Sequence, residues 1–592
     1  MEILDSVVGA VRGVALVAPN RDGMRRSIGT AIAANARKRP HQTAIIDERQ
    51  SISWLQFEQR SNQVAYALRE LGIRSGDVVA LSMLNRVEYL THVAGIVKLG
   101  AIAALVNTAQ RGTVLTGSLA LVKPRLMLLG EEQVPSLEGE EAAAIAPLGI
   151  GYVADGDGGA ARPNWCFDFD SRVDAAPVKA LPETARIVHE LPCYYIYTSG
   201  TTGLPKASVM THRRWLKAAG AFGQAALRFK PHDRIYVCLP LYHNNAGTVC
   251  FASMVSGCGS MALRRKFSAS AFWDDIDRYQ CTCFAYIGEL CRYLLLQPER
   301  ADDAHHGVTK IIGNGLRPEL WMRFKERFGI ERIMEFYAAS ESNNIFINLG
   351  NVDQTVGYSP GPWKLVRYDI EQDVIVRDAR GFAIPVPDGE AGLLVTEITD
   401  RWKLDGYTDE QATQKKILRN LFKKGDAWFH SGDLLRVINH GWWPPLRHAQ
   451  FVDRIGDTFR WKGENVSTTE VEEIVAAYPG VQECTVYGVQ VPGADGRAGM
   501  AMLVLDDATS FDWGGFARYL EPRLPSYARP LFVRVGGAIE TTGTFKYRKV
   551  DLREAGFDPA KPGSVYMQKD GSYQPVTPQI YGAIAAGMER VG

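Results

Sequence analysis

The chain has 592 residues, 46% hydrophobic and 22% charged, with 67 Lys+Arg against 66 Asp+Glu and a formal net charge of +1. At about 100–200 residues per domain this length implies several domains, and the apolar content excludes global disorder. Its 57 glycines follow no G-X-Y period, which excludes collagen; near-neutrality argues against a nucleic-acid partner, and 9 scattered cysteines indicate reduced thiols, not a disulfide scaffold.

The N-terminal segment, residues 1–24, carries Ile3, Leu4, Val7, Val8, Val11 and Val14 at helical spacings. Residues 1–40 hold seven Arg or Lys against three acids, a local net charge of +4. An apolar stripe beside positive charge fits an anionic membrane surface, and it equally fits a helix docked on the main body. Both readings stay open. Glu2 and Asp5 stand where a secretory signal needs positive charge, and no clean apolar block follows. No window reaches the roughly 18–20 uninterrupted apolar residues of a membrane span. The best, residues 89–106, is interrupted by His92, Lys98 and two glycines. The expected location is cytoplasmic, with peripheral contact at the cytoplasmic membrane face as the open alternative.

Residues 53–106 read as an α/β unit: a helix face from Trp54 to Leu71 ending at Gly72, a strand over Asp77–Met83, a helix over 86–99 and a strand over Ile102–Val106. Short connections between these elements imply a parallel strand pair with a crossover helix. Residues 131–165 are rich in Gly, Ala and Glu and read as a surface excursion. Alternation then resumes to about residue 450, which implies a large doubly wound body. The pair Cys281 and Cys283 lacks zinc spacing and reads as structural. Beyond Asp453 the pattern becomes a smaller α+β lobe: helix Thr468–Tyr478, strands Val481–Val489 and Ala501–Leu505, helix Phe511–Leu520 and strand Phe532–Val535.

The sharpest motif is Tyr197-Thr-Ser-Gly-Thr-Thr-Gly-Leu-Pro-Lys206, after the apolar run Tyr194–Tyr197. Gly200 and Gly203 let the backbone turn and present N–H groups, Thr198, Ser199, Thr201 and Thr202 add hydroxyls, and Lys206 adds a cation. Those residues make a polyphosphate clamp. It is not the P-loop of nucleotide triphosphatases, because the glycines are three apart and Ala207 follows the lysine.

With this motif the sequence resembles the adenylate-forming superfamily of acyl-CoA synthetases, luciferases and nonribosomal adenylation domains, over roughly residues 25–560. Within it the closest resemblance is to the fatty acid transport protein / very-long-chain acyl-CoA synthetase branch. That narrower match rests on IYTSGTTGLPKA (196–207), GPWK (361–364), DRIGDTFRWKGENVSTTEVEE (453–473), TTGTFKYRK (541–549) and GFDP (556–559). The resemblance implies an α/β fold: a large N-terminal adenylate-forming body with doubly wound sheets, residues 25–453, and a small mobile α+β C-terminal domain, residues 454–592.

The resemblance also implies roles. Gly313, Asn314 and Gly315 would line the adenine; alone, such a G-x-G is a tight turn more often than a site. Tyr337-Ala338-Ala339-Ser340-Glu341 looks like the family's YGxTE motif, with Tyr337 stacking on adenine and Glu341 ligating Mg²⁺ together with Thr198. Asp433, in His430-Ser-Gly-Asp433, would accept from the ribose hydroxyls, and Arg454 would pair with ribose or phosphate. His243, in the LPLYHN run 239–244, would position the carboxylate. Lys546 would bridge carboxylate and α-phosphate, although two residues separate it from Gly543, so Lys549 competes for the role. The hinge falls on Gly456, and residues 461–465 with Gly463 would face the thioester-forming site.

The implied reaction joins a long-chain or very-long-chain fatty acid to coenzyme A, with ATP and Mg²⁺, through an acyl-adenylate. Apolar stretches 246–255 and 283–296 are candidate tunnel walls, and such density is equally usual in a core. A fatty acyl-AMP ligase serving a carrier protein, and a membrane-associated fatty acid uptake protein, are the alternatives. Sequence reading leaves oligomeric state and chain-length preference open.

Overall fold

Two mostly parallel sheets form where apolar strand runs alternate with helices. The computed structural model describes residues 13, 21–137, 145, 149–156, 161–198, 206–370, 372–438, 447–461, 464–492, 494, 496–539, 547 and 549–586. The chain divides into two compact units, Met1–Ser359 with Asp400–Lys416, and Pro360–Thr399 with Ile417–Gly592.

The first unit holds a seven-stranded sheet in the order Phe167–Asp168, Ile150–Val153, Leu126–Gly130, Val78–Ser82, Ile102–Leu105, Pro192–Thr198, Lys206–Thr211. Val78–Ser82 and Ile102–Leu105 pair in parallel, as expected of a crossover unit. The connecting helix Val87–Lys98 is buried at every residue except Glu88, which explains the apolar stretch that resembled a weak membrane span. Its Lys98 is buried, with the ammonium 2.6 Å from the Glu58 carboxylate and 2.8 Å from Asn62 Oδ1. No helix among the described residues is long and apolar enough to cross a membrane.

Residues 131–165 depart from the surface excursion expected of them. Ile150–Val153 is buried at all four positions and lies inside the seven-stranded sheet, parallel to Leu126–Gly130. A four-residue apolar run flanked by Gly and Ala is too short to announce itself by periodicity.

The second sheet of this unit has eight strands, in the order Ile345–Ile347, Arg332–Ala338, Lys310–Asn314, Cys283–Ile287, Arg234–Val237, Ser260–Leu263, Thr43–Ile46, Ser51–Ser53. Its inner pairs are parallel and its two outermost pairs antiparallel. Residues 219–226 and 245–250 are wound as π-helix, an uncommon form that concentrates at functional sites.

The strand–helix alternation does not run on to residue 450. From Trp363 the second unit forms an antiparallel five-stranded sheet from Trp363–Val366, Ala391–Glu397, Ala427–Ile438, Ile417–Arg419 and His448–Arg454. Tight turns at Gly381, Gly389 and Gly425, all at positive φ, replace the crossover helices a parallel sheet needs. The C-terminal part of the unit carries the expected helices Thr468–Ala476 and Trp513–Leu520 against a sheet of Val481–Gln490, Arg497–Leu505, Phe532–Val535, Ser564–Lys569 and Ser572–Pro575.

Candidate active site

The candidate phosphate motif begins on one strand and ends on the next. Pro192–Thr198 and Lys206–Thr211 are antiparallel, and Thr198 is the register partner of Lys206. The pairing brings the two ends of the clamp side by side, and Tyr197 anchors the first with its hydroxyl 3.0 Å from the Ser118 carbonyl. Ser199, Gly200, Thr201, Thr202 and Gly203 lie outside the described residues, as does the side chain of Thr198. Lys206 Nζ stands 5.4 Å from the ring centre of Tyr407, a cation–π distance.

The strand Lys206–Thr211 also organises the Glu341 turn. Ser208 Oγ donates to the Ser340 carbonyl at 2.7 Å, and Arg214 Nη2 reaches the same carbonyl at 2.8 Å and that of Ser342 at 3.0 Å. The other arm of Arg214 donates to the Val209 carbonyl at 2.7 Å. Burial pulls the Arg214 pKa down, opposed by Asp405 and Glu341, so a cation is held here for its five-donor fork. Residues 406–408 run along the strand, with Val209 N donating to Gly406 O at 3.0 Å and Thr408 N to Ala207 O at 2.9 Å. The Tyr407 hydroxyl thereby reaches Glu341 Oε1 at 2.8 Å.

The candidate adenine loop follows the strand Lys310–Asn314. A Cβ on Gly313 would stand 2.2 Å from the Tyr286 carbonyl, and Gly315 has φ +82°, so both positions require glycine. Beneath the loop Glu335 is buried and accepts from the Gly315 N–H and the Tyr286 hydroxyl. Burial pushes its carboxyl up to about 8, against the lowering effect of those donors. Asn314 Oδ1 accepts from Asn245 Nδ2 at 3.1 Å, which ties the loop to the π-wound segment. Tyr337 and Ala338 end the neighbouring strand Arg332–Ala338 and Ala339 and Ser340 follow it, and the Tyr337 ring packs 5.9 Å from Phe346. His243 is half-buried just ahead of the same π-wound segment, its ring 4.4 Å from that of Tyr242. The stretches 246–255 and 283–296 are largely buried.

In the second unit Asp433 and Arg454 are register partners on adjacent strands, with Arg454 Nε 3.7 Å from Asp433 Oδ1. Gly456 follows in a turn closed by Asp457 N and Thr458 N, each donating to the Arg454 carbonyl at 3.0 Å. Its φ is not in the left-handed region, and nothing lies within 4 Å of an added Cβ. Lys546 lies outside the described residues, as do Gly463 and the whole of 540–546. Its competitor Lys549 is engaged elsewhere, 2.9 Å from Glu472 Oε1 and 3.1 Å from Thr468 Oγ1.

Sequence reading did not single out Ser208, Arg214, Tyr407, Glu335 or Asn245. Their partners lie far away in the chain, beyond the reach of any spacing rule. Among the described residues no group of three or more His, Cys, Asp or Glu forms a metal cage. Magnesium needs no cage, since one or two protein oxygens plus phosphate and water suffice, and the Glu341 carboxylate beside the phosphate hairpin fits that requirement.

The family model described as AMP-binding enzyme matches residues 32–397, and the model described as AMP-binding enzyme C-terminal domain matches residues 470–546. The chain is 43% identical to the medium/long-chain-fatty-acid–CoA ligase FadD6 of Mycobacterium tuberculosis over 573 residues, 96% of this chain and 92% of that one. It is 40% identical to long-chain fatty acid transport protein 2 of Rattus norvegicus, over 94% of this chain and 90% of that one. Among solved structures the anthranilate CoA ligase AuaEII in complex with anthranoyl-AMP matches with a TM-score of 0.75 at 22% identity, covering 90% of this chain and 97% of that one. A fatty acyl CoA synthetase of Mycobacterium tuberculosis matches with a TM-score of 0.62 at 22% identity, covering 90% and 99%.

Proposed function

The chain belongs to the AMP-binding enzyme family, and from that premise we propose that it is an ATP-dependent acid–thiol ligase acting on long-chain and very-long-chain fatty acids. The observation that carries the proposal is the single strand Lys206–Thr211, which closes the phosphate hairpin at Lys206 and holds the Glu341 turn through Ser208. Relatives named as fatty-acid–CoA ligase and long-chain fatty acid transport protein support the acyl substrate.

A carboxylate is a poor electrophile, and joining it to AMP creates a leaving group. In the first step a carboxylate oxygen attacks the α-phosphorus of ATP, the bond to pyrophosphate breaks, and acyl-adenylate forms. The N–H groups around Gly200 and Gly203, the hydroxyls of Ser199, Thr201 and Thr202, and Lys206 hold the departing pyrophosphate. Bound magnesium supplies neutralising charge to the phosphate oxygens, and Glu341 and Thr198 are the residues that would hold it. His243 and Lys546 align the attacking oxygen with the α-phosphate, where Lys546 offsets developing negative charge. Gly313, Asn314, Gly315 and Tyr337 hold adenine, with Ala338, Ala339 and Ser340 completing that wall; Asp433 and Arg454 hold ribose. In the second step the thiol of coenzyme A loses its proton and attacks the acyl carbon, and AMP leaves.

We assign the mobile domain to residues 454–592, turning about Gly456 between the steps, and the ATP- and acyl-binding domain to residues 25–453. The engagement of Lys549 with Glu472 favours Lys546 as the catalytic lysine. Assays offering coenzyme A and a phosphopantetheinyl carrier side by side test the reading; adenylate without CoA thioester would replace it with an acyl-AMP ligase. The transport-protein relatives favour a further role in fatty acid uptake, because thioesterification traps the acid on the inner side without a channel. That role places the enzyme at the cytoplasmic membrane face, reached through residues 1–24.

A further inference from the structure

Tyr407 stands between the two charged groups that the reaction sets against the phosphates. Its hydroxyl donates to Glu341 Oε1 at 2.8 Å, and its ring centre lies 5.4 Å from Lys206 Nζ. The side chain is buried, and its backbone is pinned on both sides by the hydrogen bonds from Val209 N to Gly406 O and from Thr408 N to Ala207 O. The Tyr407 N–H donates to Thr413 Oγ1 at 2.9 Å. Among the described residues no second donor reaches the Glu341 carboxylate, so Oε2 remains the oxygen available to a cation.

We propose that Tyr407 is a positioning residue for magnesium: it fixes the Glu341 carboxylate through one oxygen so that the other serves the metal, and it couples that carboxylate to Lys206 through its ring. The inference rests on the reading of Glu341 as a metal ligand. A carboxylate held by one hydrogen bond is pre-organised, so less rotamer entropy is lost when the cation binds.

The test is metal binding, read apart from turnover. Mn²⁺, a spectroscopic stand-in for Mg²⁺, is titrated into the full-length protein saturated with a non-hydrolysable ATP analogue and followed by electron paramagnetic resonance. Tyr407→Phe removes only the hydroxyl and keeps the ring. The expected result is at least a fivefold weaker Mn²⁺ affinity, with metal-free nucleotide affinity unchanged and the thermal midpoint preserved. Mn²⁺ affinity within twofold of wild type overturns the proposal. Glu341→Ala is run beside it: if that variant binds Mn²⁺ normally, the ligand role of Glu341 itself fails, and the proposal with it.

Discussion

The ammonium of Lys549 lies 2.9 Å from Oε1 of Glu472, and that same oxygen accepts from Thr485 Oγ1 at 2.9 Å and Val486 N at 2.8 Å. The pair is largely buried, which makes Lys549 part of the lobe's framework. Removing one partner of such a pair typically costs about 3–5 kcal/mol, since the other charge is left uncompensated. Lys549→Ala is therefore expected to lower the denaturation midpoint clearly. Lys546→Ala is expected to leave the midpoint alone and slow adenylate formation by about 10²–10³-fold. Urea denaturation and pyrophosphate release on both variants check this; the reverse pattern would make Lys549 the catalytic lysine.

Asp453 stands three residues before the assigned hinge, yet its carboxylate accepts from the N–H of Thr468 at 2.6 Å and from its hydroxyl at 3.1 Å. Thr468 opens the helix Thr468–Ala476. Rotation about Gly456 would have to exchange this contact. At Gly456 itself there is room for a side chain and no need of positive φ, so Gly456→Ala should change stability by no more than about 0.5 kcal/mol. Gly456→Pro, with φ locked near −65°, should keep one half-reaction and slow the other roughly tenfold or more. Stopped-flow measurement of each half-reaction decides it, and equal effects on both would remove the hinge from this position.

Glu335 should make stability depend on pH. Its carboxyl is raised on folding from the ordinary 4.5 to about 8, so the native state holds the proton more tightly. Its contribution is present in full below about pH 4.5 and is lost as pH rises through about 8. Glu335→Gln abolishes that titration and keeps one acceptor for the Gly315 N–H. The midpoint of the variant minus that of wild type should therefore rise steadily between those two pH values. A flat difference would show that Glu335 is ionised throughout.

The N-terminal segment offers a sharper choice than its composition allowed. Gly13 is buried, and a Cβ there would stand 2.8 Å from the Gly220 carbonyl oxygen. Asp22 Oδ1 pairs with Arg213 at 3.1 Å, and its Oδ2 with Lys403 at 3.4 Å. The apolar stripe itself, residues 1–12 and 14–20, lies outside the described residues; the contacts of Gly13 and Asp22 are with the first unit. Gly13→Leu should lower the thermal midpoint by several degrees, as overpacking typically costs about 1–3 kcal/mol. Deletion of residues 1–23 should also weaken binding to anionic vesicles if the segment has a membrane role; sedimentation unchanged by the deletion would leave docking as its whole purpose.

Local pattern is legible where an element's partners are near in the chain and falls silent where they are distant. The parallel pair Val78–Ser82 and Ile102–Leu105 was legible because both strands are apolar runs around one helical period. The strand Phe532–Val535 was legible to the residue. Ile150–Val153 was not, because its burial is decided by neighbours on either side in the sheet. The candidate clamp residues 198–206 stand out by composition, and residues 199–205 lie outside the described residues. Tyr407 lies 66 residues from Glu341 in the chain, and Arg214 126 residues from Ser340, so no spacing rule connects them.

On the proposed function, the chain activates a fatty acid as an adenylate before transferring it to a thiol. The most direct test is pyrophosphate release from ATP across acids of increasing chain length, with coenzyme A absent and then present. Acid-dependent pyrophosphate and enzyme-bound acyl-adenylate are expected without coenzyme A, and acyl-CoA with AMP once it is added, strongest for long chains. Pyrophosphate release that requires no fatty acid, or acyl-CoA formed with ADP and phosphate as products, would contradict it.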